Sequence, residues 1–194
     1  QHEKSYALSK TYLNAGTKNE FIVECFMNSC LQLGKFKEGL DFCYSTNFPW
    51  EKHPILLGIA ANLHGHYDKN PTKQLELNLK ACELAPDNVK LQWNLSLAQL
   101  RCGEIEAGLN NYEVRFDWDE FPSPRRIFKK AQKWHPDVDP QARIMIWFEQ
   151  GIGDQLRFFS AVKQFKLQFP NLILETSPKT LDIIQAAYPD VDCR

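Results

Sequence analysis

Apolar residues recur every three or four positions over most of the first 116 residues, a spacing that predicts amphipathic helices. Near the start, Leu8, Tyr12 and Leu13 predict a first short helix. The apolar face of the next predicted helix consists of Phe21, Ile22, Cys25, Phe26, Cys30 and Leu33. Another helix is predicted over residues 36–43. The first part of the chain is therefore a succession of helices separated by turn residues.

This two-helix pattern returns twice. A second pair spans residues 54–65 and 75–86, and a third pair spans residues 87–116, which gives a period of roughly 34 residues. Each pair has an apolar face that is too small to be buried alone, and stacking of neighbouring pairs would form one continuous core. The pattern predicts an array of helical hairpins.

The pattern changes at an unbroken apolar run that consists of Ile144, Met145, Ile146, Trp147 and Phe148. Such a run before a glycine-rich turn, here residues 151–154, predicts a strand buried on both faces of a parallel sheet. Helical spacing then returns. The apolar positions of this later helix are Leu156, Phe159, Val162, Phe165 and Phe169.

A second strand is predicted over residues 172–175, a further helix follows Ser177 and Pro178, and residues 189–192 lead toward a third strand. The expected fold class is mainly α, with helical hairpins followed by a truncated, Rossmann-like α/β unit of two parallel strands. In units of this kind, ligands bind beyond the carboxyl ends of the strands.

The composition narrows the function classes. The chain has 194 residues, 43% of them apolar, and its 23 Lys and Arg residues nearly balance 24 Asp and Glu residues. This balance gives no general attraction to nucleic acid or to an anionic membrane, so neither is expected as a partner. No apolar run reaches membrane-spanning length. The six cysteines show no C-x-x-C spacing, which predicts free thiols in a reducing, cytoplasmic compartment.

The segment between the two patterns is rich in proline and basic residues. Its basic run consists of Arg125, Arg126, Lys129, Lys130 and Lys133. We interpret residues 122–142 as a solvated linker, with a phosphate or nucleic-acid contact as the alternative. A domain of helical repeats, residues 1–121, would precede this linker, and an α/β half-domain, residues 143–194, would follow it.

The glycine-rich turn is the main candidate site. At the start of a helix, unpaired N–H groups and the helix dipole favour an anionic ligand, and glycine lets the backbone approach it closely. Leu156 stands where the dinucleotide-binding pattern has its third glycine, and the Walker pattern is absent. Asp154 stands where an N-cap residue is expected, and capping alone would explain it.

The third helical pair resembles a tetratricopeptide repeat. The matching positions are Trp93, Asn94, Leu95, Gly103, Ile105, Gly108 and Tyr112. The resemblance implies a concave surface that holds a peptide or a partner protein. Because no line of Lys, Arg or Asn is visible along the expected concave face, we favour the alternative that the repeats only brace the following domain.

Further residues widen the resemblance. The segment Tyr-x-x-Arg (Tyr112 to Arg115), Trp134 and the sequence Ile-Trp-Phe-Glu-Gln-Gly-Ile-Gly-Asp-Gln are similar to bacterial proteins in which repeats precede a GT-B-type glycosyltransferase domain. That domain is related to the heptosyltransferases and, more distantly, to the O-linked N-acetylglucosamine transferases. The resemblance implies an inverting transfer from a nucleotide-diphosphate sugar.

In heptosyltransferase-like relatives, the Asp of this turn is a proposed general base, a role that the matching position carries to Asp154. The resemblance places Gly151, Ile152, Gly153 and Gln155 at the sugar nucleotide. It also implies that these 194 residues, which lack the donor half of such a cleft, hold no bound cofactor and are inactive alone. The alternative is a non-enzymatic interaction scaffold in which the α/β end only caps the repeats.

A metal site is not expected. His64 and His66 lie close to Asp68 in the sequence and could be drawn as ligands, but no fourth ligand lies nearby in the sequence.

Overall fold

A computed structural model describes residues 1–119, 121, 123 and 131–194. The chain divides into two compact units, Gln1–Asp119 and Glu120–Arg194. The basic run at positions 125, 126, 129 and 130 lies outside the described residues, so its interpretation as a linker stays a prediction. None of the described helices is both long enough and apolar enough to cross a bilayer.

The first unit is entirely helical in its described part. Its α-helices are α1 (His2–Asn14), α2 (Glu20–Gln32), α3 (Phe36–Ser45), α4 (Pro54–Tyr67), α5 (Pro71–Leu84), α6 (Val89–Arg101) and α7 (Ile105–Tyr112). Short 3-10 turns cover Trp50–Lys52 and Glu113–Asp117. Each helix contacts the next, and α4 also contacts α2 and α6. The predicted succession of helices is confirmed.

Local sequence signals explain where these helices begin and end. Asn19, Asn70 and Asn88 are N-caps whose side chains each accept a hydrogen bond from an N–H in the first turn of α2, α5 and α6. The turns after α2 and α6 contain Gly34 and Gly103, whose φ angles of 71° and 82° favour glycine.

The core of the first unit lies between α2, α4 and their neighbours. Fully buried residues include Val23, Met27, Leu56 and Leu57. Phe21, which was predicted to lie on the buried face, is 67% exposed. The prediction failed because α2 directs the row that contains Val23 and Met27 toward α4, and position 21 lies on another side of the helix.

The second unit is a parallel sheet with two helices. Its elements are β1 (Ile144–Trp147), α8 (Ile152–Gln168), β2 (Leu172–Glu175), α9 (Leu181–Ala187) and β3 (Asp192–Cys193). The strand order is β1-β2-β3, with Ile144 opposite Leu172 and Ile173 opposite Asp192. The expected number of two strands is therefore wrong, because the last residues already pair with β2.

The sheet is covered on one face by its own helices. Ile144, Ile146, Leu172 and Leu174 alternate along β1 and β2 and pack in one cluster with residues of α8 and α9, such as Val162. Crossovers between parallel strands are right-handed in almost all proteins, so helices that connect β1 to β2 and β2 to β3 are expected on the same side of the sheet. The prediction that residues 144–148 are buried on both faces is wrong, since only Ile144 is buried there and the other four are partly exposed.

Trp134 connects the segment before the sheet to α8. Its indole ring lies edge-on to Phe165 and Phe169, with ring centres 6.1 and 6.4 Å apart, and remains 44% exposed. This contact fixes the approach to β1.

Candidate functional site

The glycine-rich turn lies at the carboxyl end of β1, and α8 begins at its second residue. Gly151 is the N-cap, with φ −82°, and the helix includes Ile152, Gly153 and Asp154. Asp154 is therefore the third helical residue and not the N-cap, which corrects the sequence-based expectation. The residue with a left-handed backbone is Gln150, with φ 63°, and not a glycine.

The structure brings Gly151 and Asp154 together. The Gly151 N–H donates a hydrogen bond to the Asp154 carboxylate (N···Oδ2 3.3 Å), which is the side-chain half of a capping box. Asp154 is half-buried, so its carboxylate is both held in place and accessible. The start of a helix is also a favourable position for a negative charge.

Packing against the described residues does not require glycine at Gly151 or Gly153. A Cβ atom added to Gly153 would have nothing within 4 Å, and one added to Gly151 would meet only Asp154 Oδ2, at an ordinary 3.6 Å. Neither residue has a positive φ. No described atom crowds the positions that side chains of Gly151 and Gly153 would take, which would let another molecule approach the backbone of this turn.

Ile152 and Gln155, the other two candidate residues of the turn, differ in their exposure to solvent. Ile152 is 41% exposed, whereas Gln155 is buried. The Gln155 Oε1 atom accepts a hydrogen bond from the hydroxyl of Thr180 (2.9 Å), which in turn lies 2.7 Å from the Thr176 hydroxyl. Gln155 thus ties α8 to the segment that follows β2. Its assignment to a sugar nucleotide stays a prediction.

A second candidate site is a cleft of about 340 Å³ in the first unit. Its walls come from α2, the start of α3, α4, α5 and α6. The lining residues are Leu31, Gln32, Phe36, Asn62, His66, Gln74, Trp93, Asn94, Leu97 and Arg101. We refer to it below as the α2–α4–α6 cleft. This cleft was not predicted from the sequence.

Polar residues of the cleft occupy equivalent positions in successive helices. Gln32, His66 and Arg101 are spaced by 34 and 35 residues, and each lies in the last turn of its helix or next to it. Asn62 and Leu97 are spaced by 35 residues, one turn earlier. This spacing equals the repeat period, so the sequence did contain a signal for the cleft. The signal was missed because Gln, His and Arg are different residue types and do not form a visible repeat motif.

Gln74 forms the floor of the cleft and orders two of its walls. It is 3% exposed, its Oε1 accepts a hydrogen bond from Arg101 Nη1 (2.9 Å), and its Nε2 donates to Asn62 Oδ1 (3.4 Å). Gly65 makes room for it, because a Cβ at that position would lie 2.7–2.9 Å from the Gln74 amide group.

The two neighbouring histidines are in structural contacts. His64 is buried, and its ring nitrogens lie 2.7 Å from the Tyr44 hydroxyl and 2.8 Å from Asp68 Oδ2. His66 stacks on Phe36, with ring centres 5.0 Å apart. Across the described residues, no group of three or more His, Cys, Asp or Glu side chains could hold a metal ion.

All six cysteines are free thiols, and two of them belong to the core of the first unit. Burial raises the pKa of Cys30 to about 12 and also that of Cys43 to about 12. These thiols remain protonated at neutral pH and are poor nucleophiles.

Comparisons with known proteins do not identify the chain. No family model, no curated protein and no solved structure matches it. A function is therefore inferred from the two sites alone.

Proposed function

We propose that this chain is a tetratricopeptide-like helical module joined to the start of a sugar-nucleotide-dependent glycosyltransferase domain of GT-B type. The observation that carries the proposal is the order β1, glycine turn, α8 and β2, with Asp154 in the first turn of α8. This order belongs to α/β domains that bind ligands at the carboxyl edge of a parallel sheet.

The open space above the turn supports a ligand at this place. Glycine lowers the stability of a helix by up to about 1 kcal/mol relative to alanine. At Gly153 no close packing in the described structure explains why glycine is present despite this loss. A donor that carries two phosphates could approach the backbone of this turn, because Cβ atoms added to Gly151 and Gly153 would meet no described atom closer than 3.6 Å.

Asp154 has the chemistry that the transfer requires. In an inverting reaction, a base removes the proton from the acceptor hydroxyl as its oxygen attacks the anomeric carbon and the nucleoside diphosphate leaves from the opposite face. A carboxylate held by the Gly151 N–H keeps one orientation and still has lone pairs for that proton.

The parent protein would carry the reaction, and the 194 residues alone would not. A GT-B donor site uses a second α/β domain, and the described residues form one three-stranded unit. We place the protein in the cytoplasm, a proposal that the six free thiols support. Its donor would be a nucleotide-diphosphate sugar.

The test is Asp154→Asn in the full-length parent. Asparagine can still accept the hydrogen bond from Gly151 but cannot take a proton, so we expect turnover to fall by about 10²–10⁴-fold with the fold unchanged. Asp182→Asn is the matched control, since Asp182 lies in the first turn of α9 and is exposed. Unchanged turnover of Asp154→Asn in a folded protein would remove the catalytic role.

A second candidate function is a protein-interaction scaffold, and the α2–α4–α6 cleft favours it. The cleft combines amide groups, aromatic rings and Arg101 on adjacent repeats, which is a suitable surface for an extended peptide. If the protein is such a scaffold, the α/β unit catalyses no reaction. Failure of the intact chain to bind any member of a peptide array would remove it.

A further inference from the structure

We infer that the α2–α4–α6 cleft binds an extended peptide through an acidic side chain, and that Arg101 is the residue that receives the carboxylate. This inference rests on the scaffold function and specifies the chemistry of its partner. It follows from three properties of the cleft, namely its charge, the hydrogen bonds that fix Arg101 and the apolar surface next to it.

The charge of the cleft comes from Arg101. Among the described residues that line the cleft there is no Asp or Glu, and Arg101 is their only Lys or Arg. Arg101 is exposed and forms no ion pair with any residue in the described part of the chain. A guanidinium group in this state has N–H donors available for a carboxylate, which it binds more specifically than a lysine would.

A hydrogen bond orients Arg101 in the unbound chain. Gln74 is buried and accepts one hydrogen bond from Arg101 Nη1, and its own amide nitrogen is directed to Asn62. The two hydrogen bonds determine the orientation of the Gln74 amide, with its oxygen toward the Arg101 guanidinium and its nitrogen toward Asn62. Fixing a long side chain in advance reduces the entropy that binding would cost. Gln74 is thus a positioning residue.

The rest of the cleft suits a peptide better than a small anion. Leu31, Phe36, Trp93 and Leu97 are half-buried and supply apolar surface beside Arg101. Trp93 is supported from behind by Trp118, with ring centres 5.1 Å apart. The amides of Gln32, Asn62 and Asn94 can donate to and accept from a peptide backbone. The partner would carry an acidic residue close to an apolar one.

The test measures binding of peptide pools to the intact 194-residue chain by fluorescence anisotropy at low salt. Three pools of labelled nonapeptides are compared. Seven positions are randomised in every pool and include apolar residues, and the other two positions hold glutamate in the first pool, glutamine in the second and lysine in the third. We expect the glutamate pool to bind at least about tenfold more tightly than the glutamine pool, the scale of one charge-assisted hydrogen-bonded pair. Sodium glutarate serves as the small-anion probe and should not compete at equal concentration.

Two charge-matched variants locate the effect. Arg101→Gln should abolish the preference for the glutamate pool. Lys18→Gln removes one positive charge from an exposed residue outside the cleft lining and should leave the preference unchanged. Equal losses in both variants would mean that general electrostatics cause the preference, and would overturn the inference.

Two further variants test Gln74 as the positioning residue. Gln74→Glu would engage Arg101 as an ion pair and should remove the preference for glutamate although Arg101 is still present. Gly65→Ala keeps every polar group and displaces the Gln74 amide, so it should weaken the preference in a chain whose circular dichroism is unchanged. Full preference in both folded variants would contradict the role of Gln74.

The outcomes separate the inference from the function on which it rests. Equal binding of the glutamate and glutamine pools would leave the scaffold function and overturn the inference. Binding of no pool would remove both. Displacement of the glutamate pool by equimolar glutarate would show a small-anion site and would also overturn the inference.

Discussion

The two candidate sites are built in different ways. The turn at the start of α8 presents backbone N–H groups and one carboxylate, all from residues 151–154. The α2–α4–α6 cleft presents side chains from five helices, and Gln74 links three of them through hydrogen bonds to Asn62 and Arg101. A site made by consecutive residues can be recognised as a motif, whereas a site made by distant side chains depends on the packing of the whole unit.

The largest expected effect concerns the smaller unit. Leu174 is fully buried at the centre of the sheet, so Leu174→Ala should lower the free energy of unfolding of the second unit by about 2–5 kcal/mol. Hydrogen exchange measured on peptides of each unit checks this, with faster exchange expected over β1, β2 and α8. Leu167→Ala is the matched control, since Leu167 is 75% exposed and its truncation should cost less than about 0.5 kcal/mol. Similar effects of both variants would show that the assigned core is wrong.

An intermediate effect is expected from pH and concerns the first unit. Burial raises the pKa of Cys30 and Cys43 to about 12, so above the ordinary value of 9 the unfolded chain loses protons that the folded chain keeps. The free energy of unfolding should therefore be at its full value below pH 9 and fall between pH 9 and 12, by up to about 1.4 kcal/mol per pH unit for each thiol.

Urea unfolding at pH 8 and pH 10 checks this expectation. Lysines and tyrosines also titrate in this range, so the informative quantity is the difference from a Cys30→Ala, Cys43→Ala double variant. The variant should be less stable at pH 8 because two buried side chains are truncated, and its stability should fall less steeply with pH. Equal slopes would exclude the thiols as the cause.

The smallest effect compares two glycines. Gly58→Ala should destabilise the first unit by about 1–3 kcal/mol, because the new Cβ would lie 2.7 Å from Cδ2 of the buried Leu91. The new Cβ of Gly153→Ala would have no described atom outside the turn within 4 Å, so this change should stabilise α8 by up to about 1 kcal/mol. Thermal unfolding of both variants measures the two signs. Destabilisation by Gly153→Ala would mean that packing explains this glycine and would weaken the case for a ligand.

The sequence predicted the helices and strands well because each is defined by local periodicity and turn residues. The segment from Ile144 to Trp147 is a strand, and α2 to α7 appear where apolar residues recur every three or four positions. Periodicity gives the face of a helix less reliably. Phe21 was assigned to the core, but the helix turns Val23 and Met27 inward instead.

The sites depended on information that single residues do not carry. Asp154 was recognised as a capping residue, but its true position in the first turn depends on α8 starting at Ile152. The role of Gln74 could not be predicted, because it requires the packing of α4, α5 and α6 against one another. The third strand was not included in the predicted sheet, because a strand that pairs only two residues with β2 is too short to show a periodic pattern in the sequence.

The hydrogen bond between Gln155 and Thr180 has a mechanical consequence for the second unit. It joins the first turn of α8 to the residue just before α9, so it links the two loops at the carboxyl edge of the sheet. A molecule that moves the first turn of α8 outward would either break this hydrogen bond or displace the neighbouring loop as well.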